Sequence, residues 1–506
     1  MSGPAVFPLS DHFYYEVWPC QVSDVMHVLA GSNALCPCIK KECFVLRQYN
    51  LFFLIIFEVG FSPPEMIMEN NRLPVGHAEL ETVLQQMGLS DISHSTIRQS
   101  GSIARALESQ TGEEFLHLEM GIPGIPPASV GVKAEKAALD AGVASIYPNM
   151  MGTPDLKAQA SRFIKAFLDV DHPGECCIPT VGSMQGSFTA FLLCSQIDPV
   201  KDTILFIDPG FPVQRSQTKI LGIKSESFDI YEYRGSKLRE KLESYLSKGN
   251  ISALIYSSPN NPAWFNLTEE ELEIIGSLAT KYDTIVIEDL AYMCMDFRKP
   301  LGRPYEAPFQ PTVAKYTDNY ILLMSASKIF SYAGQRIAII AISETVYRRE
   351  YPALKSRYNM TRFGDAYVLG VLYGASSGTS HSAQCALAQM FKAAADGDFD
   401  FVGEAGEYAR RAALTKEAFI RNGFHIVYEK DGDEPVSDGF FYTAGYKDMT
   451  GTQLMGELMR YGICTIALSM TGSRQQGVRV CISQLNRPEQ FDILADRLSC
   501  FAADHP

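Results

Sequence analysis

The stretch ISALIYSSPNNPAWFNLTEEELEIIGSLATKYDTIVIEDLAY, residues 251–292, decides the fold. It opens on one continuous apolar run, ISALIY (251–256), and ends near another, TIVIE (284–288). Between them Thr268 and Glu271 have the spacing of a capping box, and Leu272, Ile275, Leu278, Ala279 and Tyr282 fall on one helical face. Strand, helix, strand at this rhythm predicts a mostly parallel α/β sheet. The apolar runs are continuous rather than alternating, as expected where helices cover both faces of a sheet. Working outward, TILFI (203–207), YILLM (320–324) and RIAIIAI (336–342) are runs of the same kind.

Beyond about residue 386 the pattern is mixed. Helical EYARRAALTKEAFIRNG is followed by shorter strand candidates, GFFYTAGY and GVRVCIS, which predicts a smaller α+β domain. Residues 1–65 are rich in cysteine and aromatics and hold no sustained period. The expected organisation is an atypical extension (1–65), an N-terminal arm with part of the small domain (66–150), a large α/β domain (151–385) and a C-terminal small α+β domain (386–506). The functional protein is expected to begin near Met66 or Met68.

With 506 residues, 46% hydrophobic and 20% charged, the chain has an ordinary globular composition. A formal net charge of -14 disfavours a nucleic-acid or anionic-membrane partner. Eight of the twelve cysteines (Cys176, Cys177, Cys194, Cys294, Cys385, Cys464, Cys481, Cys500) are scattered through apolar segments, as packed, reduced thiols of a cytoplasmic protein are. The other four, Cys20, Cys36, Cys38 and Cys43, have no common zinc spacing, and no metal is expected there. No signal peptide is legible, and LFFLIIF (51–57) is far shorter than the ~20 residues a membrane span needs.

In an open parallel sheet, ligands collect beyond the carboxyl ends of the strands. TILFI leads into DPGFP and Phe211; ISALIY into SSPNNP and Asn261; TIVIE into DLAY, with Asp289 and Tyr292; YILLM into SASK and Lys328. Taken singly these read as turns, caps, core packing and a solvated amine. Together they suit one ligand, pyridoxal phosphate. A lysine amine condenses with its aldehyde, a carboxylate keeps the ring nitrogen protonated, an amide and a phenol bond the ring hydroxyl, and an aromatic covers the ring. Ser325, Arg336 and the helix start at TVGSMQGSFTAFLL (180–193) offer donors and charge to the phosphate.

GSMQG, DPGFP, NNP, EDLAY, SASK and GQR occur in this order, with Lys328 eight residues before Arg336 and Asp289 three before Tyr292. In these features the chain resembles the class I/II aminotransferases, pyridoxal-phosphate enzymes of fold type I, over roughly residues 115–495. The resemblance implies a large, mostly parallel seven-stranded sheet domain with a smaller α+β domain, and a homodimer with shared active sites. It implies that Lys328 forms the Schiff base and then moves the substrate proton. Asp289 pairs with the pyridine nitrogen, Asn261 and Tyr292 bond the ring oxygen, and Phe211 stacks. Ser183, Met184, Gln185, Ser325 and Arg336 meet the phosphate, with Tyr147 reaching across from the neighbouring subunit. Arg479 in GVRVCIS takes the substrate carboxylate, which Gly121 in LHLEMGIPGIPP also approaches.

The expected reaction moves an amino group from an L-amino acid to a 2-oxo acid. The same residues suit a lyase or decarboxylase, since the cofactor stabilises several carbanions. A non-catalytic regulator built on this fold is a further reading, but residues 1–65 show no basic helix pair. Arg479 also reads as a surface strand residue and Tyr147 as packing. Two features depart from the family. Trp264 in NPAWFN stands where relatives carry glycine, and either narrows the substrate pocket or packs beneath its loop. FSYAGQR replaces a pattern of smaller residues. No second arginine for a side-chain carboxylate is identifiable from the sequence.

Overall fold

The structure is a computed structural model that describes residues 73–506. The expectations for the extension, its four cysteines, LFFLIIF and the start near Met66 lie outside the described residues.

Eight strands organise the part that carries the site. These are β1 (Leu116–His117), β2 (Cys177–Thr180), β3 (Thr203–Asp208), β4 (Lys224–Asp229), β5 (Ile251–Ser257), β6 (Ile285–Asp289), β7 (Tyr320–Ser325) and β8 (Ala338–Ile342). β2 to β8 form one seven-stranded sheet in the order β2-β8-β7-β6-β5-β3-β4. β8 runs antiparallel to β2 and β7, and the remaining pairings are parallel. The large, mostly parallel sheet is thus as expected.

Alternation along the strands divides the core in two. Leu205, Leu254, Val286 and Leu322 face one hydrophobic cluster, while Ile204, Ile255, Ile287 and Ile321 face the other. Both faces are covered, which is why these strands read as continuous apolar runs. The helix predicted between β5 and β6 spans Glu269–Lys281, and Thr268 and Glu271 form its capping box. The helix at GSMQG spans Gly182–Cys194.

The C-terminal part carries an antiparallel four-stranded sheet ordered Ile466–Ala467, Val478–Cys481, Phe441–Tyr446, Phe424–Ile426. The helices Phe401–Arg421 and Glu489–Asp504 accompany it. β1 pairs in parallel with Ile463–Cys464. Of the eight scattered cysteines, six are buried, whereas Cys385 is partly exposed and Cys500 exposed. The expectation of packing fails at these two: Cys500 lies on the outward face of the helix Glu489–Asp504, and Cys385 is only half-buried in the largely buried helix His381–Asp396. Among the described residues no helix is long and apolar enough to cross a membrane.

Candidate active site

The strand ends converge on a cavity of roughly 400 Å³. Its walls hold Gly121, Ser183, Met184, Phe211, Asn261, Asp289, Tyr292, Ser325, Lys328, Arg336 and Arg479. Eleven of the thirteen residues singled out in the sequence are therefore brought together. Gln185 is not on the wall: its side chain accepts from the Val181 N–H (2.8 Å) and donates to Ser376 Oγ (2.9 Å). Tyr147 also lies off the wall, with 93% of its surface exposed.

β7 ends at Ser325, which caps a one-turn helix, Ala326–Ile329, by accepting from the Ser327 N–H (3.2 Å). That turn projects Lys328 into the cavity, where its ammonium donates to the Gly121 carbonyl oxygen. Burial, reinforced by Arg479 and Arg336, pulls the Lys328 amine down to about 8. Arg336 is not part of β8, contrary to the sequence reading. It follows a 3₁₀ turn with φ +50°, and the strand begins two residues later at Ala338. Its guanidinium meets the start of the helix Gly182–Cys194. Gly182 has φ +69°, and a Cβ there would lie 2.6 Å from Arg336 Nη2, so both conformation and space require glycine. The N–H groups at this helix start and the guanidinium together form an anion cradle.

Asp289 is the last residue of β6, one position later than the strand limit expected from the sequence. Gln214 Nε2 donates to its Oδ2 (2.8 Å) and the Ala291 N–H to its Oδ1 (3.2 Å). Burial pushes its carboxyl up to about 6. Gln214 sits in the helix Pro212–Leu221 that Phe211 opens. Sequence reasoning stopped at Phe211 and missed the residue that orients the carboxylate.

Arg479 is 1% exposed and has no carboxylate partner among the described residues. It donates to Asn261 Oδ1 (3.0 Å) and to the Glu119 carbonyl, and lies 4.6 Å above the Phe441 ring. Its Nε has no hydrogen-bond partner among the described residues. The surface reading of Arg479 is thereby excluded. Because Asn261 accepts through Oδ1, its amide NH₂ is left as a donor.

Trp264 is fully buried and does not line the cavity. Its backbone takes φ +64°, which explains why glycine suits the position, and its indole occupies the space over Gly439, where a Cβ would come within 2.0 Å. The ring packs edge-on against Tyr292, 5.3 Å away. Of the two possibilities, packing beneath the loop is the one observed. The second departure anchors its segment: Tyr332 Oη donates to Glu135 (2.5 Å) and Ser331 Oγ to the Ile125 carbonyl (2.6 Å).

The wall also includes Ile97 and Arg98, Ile122, Ser257 and Ser327, none of which the sequence singled out. Ile97 and Arg98 open the helix Ile97–Thr111, about 230 residues before Lys328, and no local motif marks them.

The residues present fit pyridoxal phosphate. A buried amine, a cradle closed by Gly182 and Arg336, a carboxylate oriented by Gln214 and a carboxylate-free buried arginine all face one space. A sequence model described as aminotransferase class I and II matches residues 114–498. The chain is 26% identical to a probable aspartate aminotransferase of Methanocaldococcus jannaschii over 243 residues, 48% of this chain and 61% of that protein. It is 27% identical to the glutamate-pyruvate aminotransferase of Escherichia coli over 239 residues, 46% of this chain and 55% of that protein. It thus spans about three fifths of the length of such curated relatives. The fold matches an aspartate aminotransferase from Thermotoga maritima with a TM-score of 0.65 at 19% identity, covering 81% of this chain and 97% of that one.

Proposed function

The chain belongs to the class I and II aminotransferase family, and from that premise we propose that it is a pyridoxal-phosphate-dependent aminotransferase passing an amino group from an L-amino acid to a 2-oxo acid. The observation that carries the reading is the Lys328 amine in one cavity with Asp289, Arg336 and Arg479. Pyridoxal phosphate supplies an aldehyde that condenses with amines and a protonated ring that takes up electrons.

Arg336 and the helix start at Gly182–Met184 hold the phosphate, and Ser325 adds a hydroxyl. Asp289, steadied by Gln214, keeps the ring nitrogen protonated. The Asn261 amide and the Tyr292 phenol would donate to the ring oxygen, and Phe211 would cover the ring face. Arg479 receives the substrate α-carboxylate beside the Gly121 backbone. With the cofactor bound, Lys328 would supply the amine that holds its aldehyde, and once freed by the substrate amino group its Nζ would serve as the base that takes and moves the proton of the substrate Cα. An amine pulled down to about 8 is partly neutral near physiological pH, as a base must be.

Arg98 extends the reading to the substrate side chain. The cavity wall carries four cations (Arg98, Lys328, Arg336, Arg479) and one carboxylate, Asp289. With the phosphate and α-carboxylate assigned, Arg98 is left for a second carboxylate at the far end of the substrate. The relatives named as aspartate and glutamate-pyruvate aminotransferases act on such substrates. Ile146 and Tyr147, 55% and 93% exposed side by side, support a homodimer in which Tyr147 reaches the partner's phosphate site. Eight unpaired cysteines among the described residues support a reducing, cytoplasmic setting.

The test is the visible spectrum of the protein loaded with pyridoxal phosphate. A yellow protein should bleach with its amino donor and recover with a 2-oxo acid, and Lys328→Ala should lose at least about 10⁴-fold in turnover. Recovery without any 2-oxo acid would indicate a lyase, and a protein that never colours would end the reading.

A further inference from the structure

Behind the cavity, β1 brings a second set of side chains together. His117 stands opposite Cys464 across the parallel ladder. The extended chain continues through Leu118, whose N–H bonds the Cys464 carbonyl (2.8 Å), so Glu119 returns to the face of His117. One ligand atom each from His117, Glu119 and Cys464 lies within 4.8 Å of the others. Glu119 is 1% exposed and Cys464 fully buried. On the helix side Gly101 makes room for the carboxylate, since a Cβ there would lie 2.5 Å from Glu119 Oε1.

A simple ion pair does not account for this arrangement. His117 Nδ1 reaches Glu119 Oε1 (3.0 Å), but the buried Oε2 has no hydrogen-bond partner among the described residues. Arg105 donates to Ser102 Oγ (3.0 Å) and makes no ion pair with Glu119 among the described residues. A buried carboxylate oxygen left unpaired is unfavourable, and a bound cation would satisfy it. The other imidazole nitrogen, Nε2, faces Glu108 Oε2 (3.5 Å) on the helix Ile97–Thr111, the outer partner that orients a metal-bound histidine.

We propose that His117, Glu119 and Cys464 form a binding site for one divalent transition ion, with Zn²⁺ the best match to an imidazole, carboxylate and thiolate set. Closing onto an ion at bond lengths of about 2.0–2.3 Å draws the three ligand atoms in from their present spacing, within 4.8 Å of one another. A water on the His117 side, where that side chain is 28% exposed, completes the tetrahedron. Coordination displaces the thiol proton of Cys464 to solvent, and the ion gains the thiolate sulfur in its place. The site is coupled to the cavity through one atom, because the Glu119 carbonyl accepts from Arg479. A bound ion therefore holds the strand against which the substrate-facing arginine rests.

The proposal does not depend on the aminotransferase reading. The test equilibrates full-length, cofactor-loaded protein with Zn²⁺, desalts it, counts retained zinc and reads the ligand shell by X-ray absorption. One zinc per chain with a sulfur at about 2.3 Å is expected. Cys464→Ser should lose that sulfur, while a Cys36→Ser/Cys38→Ser variant keeps it. Glu108→Gln, at the rim, should weaken zinc binding by about 10–100-fold without lowering the melting temperature of the zinc-free protein, and serves if Cys464→Ser does not fold. No retained zinc overturns the proposal. So does a sulfur shell that survives Cys464→Ser or vanishes with Cys36 and Cys38, or Glu108→Gln binding zinc as tightly as the parent.

Discussion

Two charged regions of this molecule are built on opposite terms. Near the helix Glu269–Lys281, Arg234 meets Glu271 through Nε (2.7 Å) and Nη2 (3.0 Å) and donates to the Asn266 carbonyl (2.8 Å). Arg298 joins it there, paired with Asp296 (2.7 Å) and Asp431 (2.9 Å). In the cavity at the strand ends, Arg479 has neutral oxygens for partners and Arg336 donates to the Ala333 carbonyl (2.9 Å). The first region is complete and stabilises the fold. The second is short of anions, and what completes it has to come from outside. Fully partnered charges mark scaffold, and cations that outnumber the carboxylates beside them mark a place for ligands.

The largest effect should come from breaking the complete region. Burial pushes the Glu271 carboxyl up, yet Arg234 and the backbone N–H groups of Thr268 and Gly235 hold it below its ordinary value. Glu271→Ala leaves Arg234 buried without its main partner and should cost about 3–5 kcal/mol in denaturant unfolding. The KM of the remaining folded enzyme should not move. Arg479→Met should behave in the opposite way. Folding stability holds or rises, while kcat/KM falls by roughly 2–5 kcal/mol, about thirtyfold or more. A matched loss of stability would erase the contrast between the regions.

Lys328 sharpens it through pH. Its folded pKa, about 8, lies below the ordinary 10.5, so below pH 8 the cofactor-free fold carries a buried charge that the unfolded chain keeps in water. The unfolded chain binds more protons between these values, so stability rises with pH across that window. Cofactor-free Lys328→Met should exceed the parent at pH 7 by up to roughly 3 kcal/mol, with the gap closing between pH 8 and 10.5. A gap independent of pH would mean that the amine carries no such cost. The smallest effect belongs to Arg98→Gln, where KM for dicarboxylic substrates should rise about tenfold, or about 1.4 kcal/mol, with that for alanine unchanged.

What the sequence revealed follows the same physics. β3, β5, β6, β7 and β8 were legible because both faces are covered. β2 and β4 were not: they are the two edges of the sheet, one interrupted by Pro179 and the other, KSESFD, exposed at its first two residues and only half-buried at the next two. Lys328, Asp289 and Asn261 could be found because each lies at or just beyond the end of a strand that announces itself. Gln214 and Arg98 lie on helices whose relation to the cavity is set by long-range packing, and no local pattern encodes it. Trp264 could be noticed but not interpreted, since its partner, Gly439, is 175 residues away.

That partnership constrains how the protein can change. The indole of Trp264 fills the place a side chain at position 439 would take, and its own backbone sits where glycine is at ease. Replacing Gly439 first drives two groups into one volume. Replacing Trp264 first relaxes the backbone but empties the space behind Tyr292. The two positions are therefore epistatic, and a lineage that exchanges the indole for glycine has to cross the gap in one order, smaller residue at 264 before larger neighbour at 439.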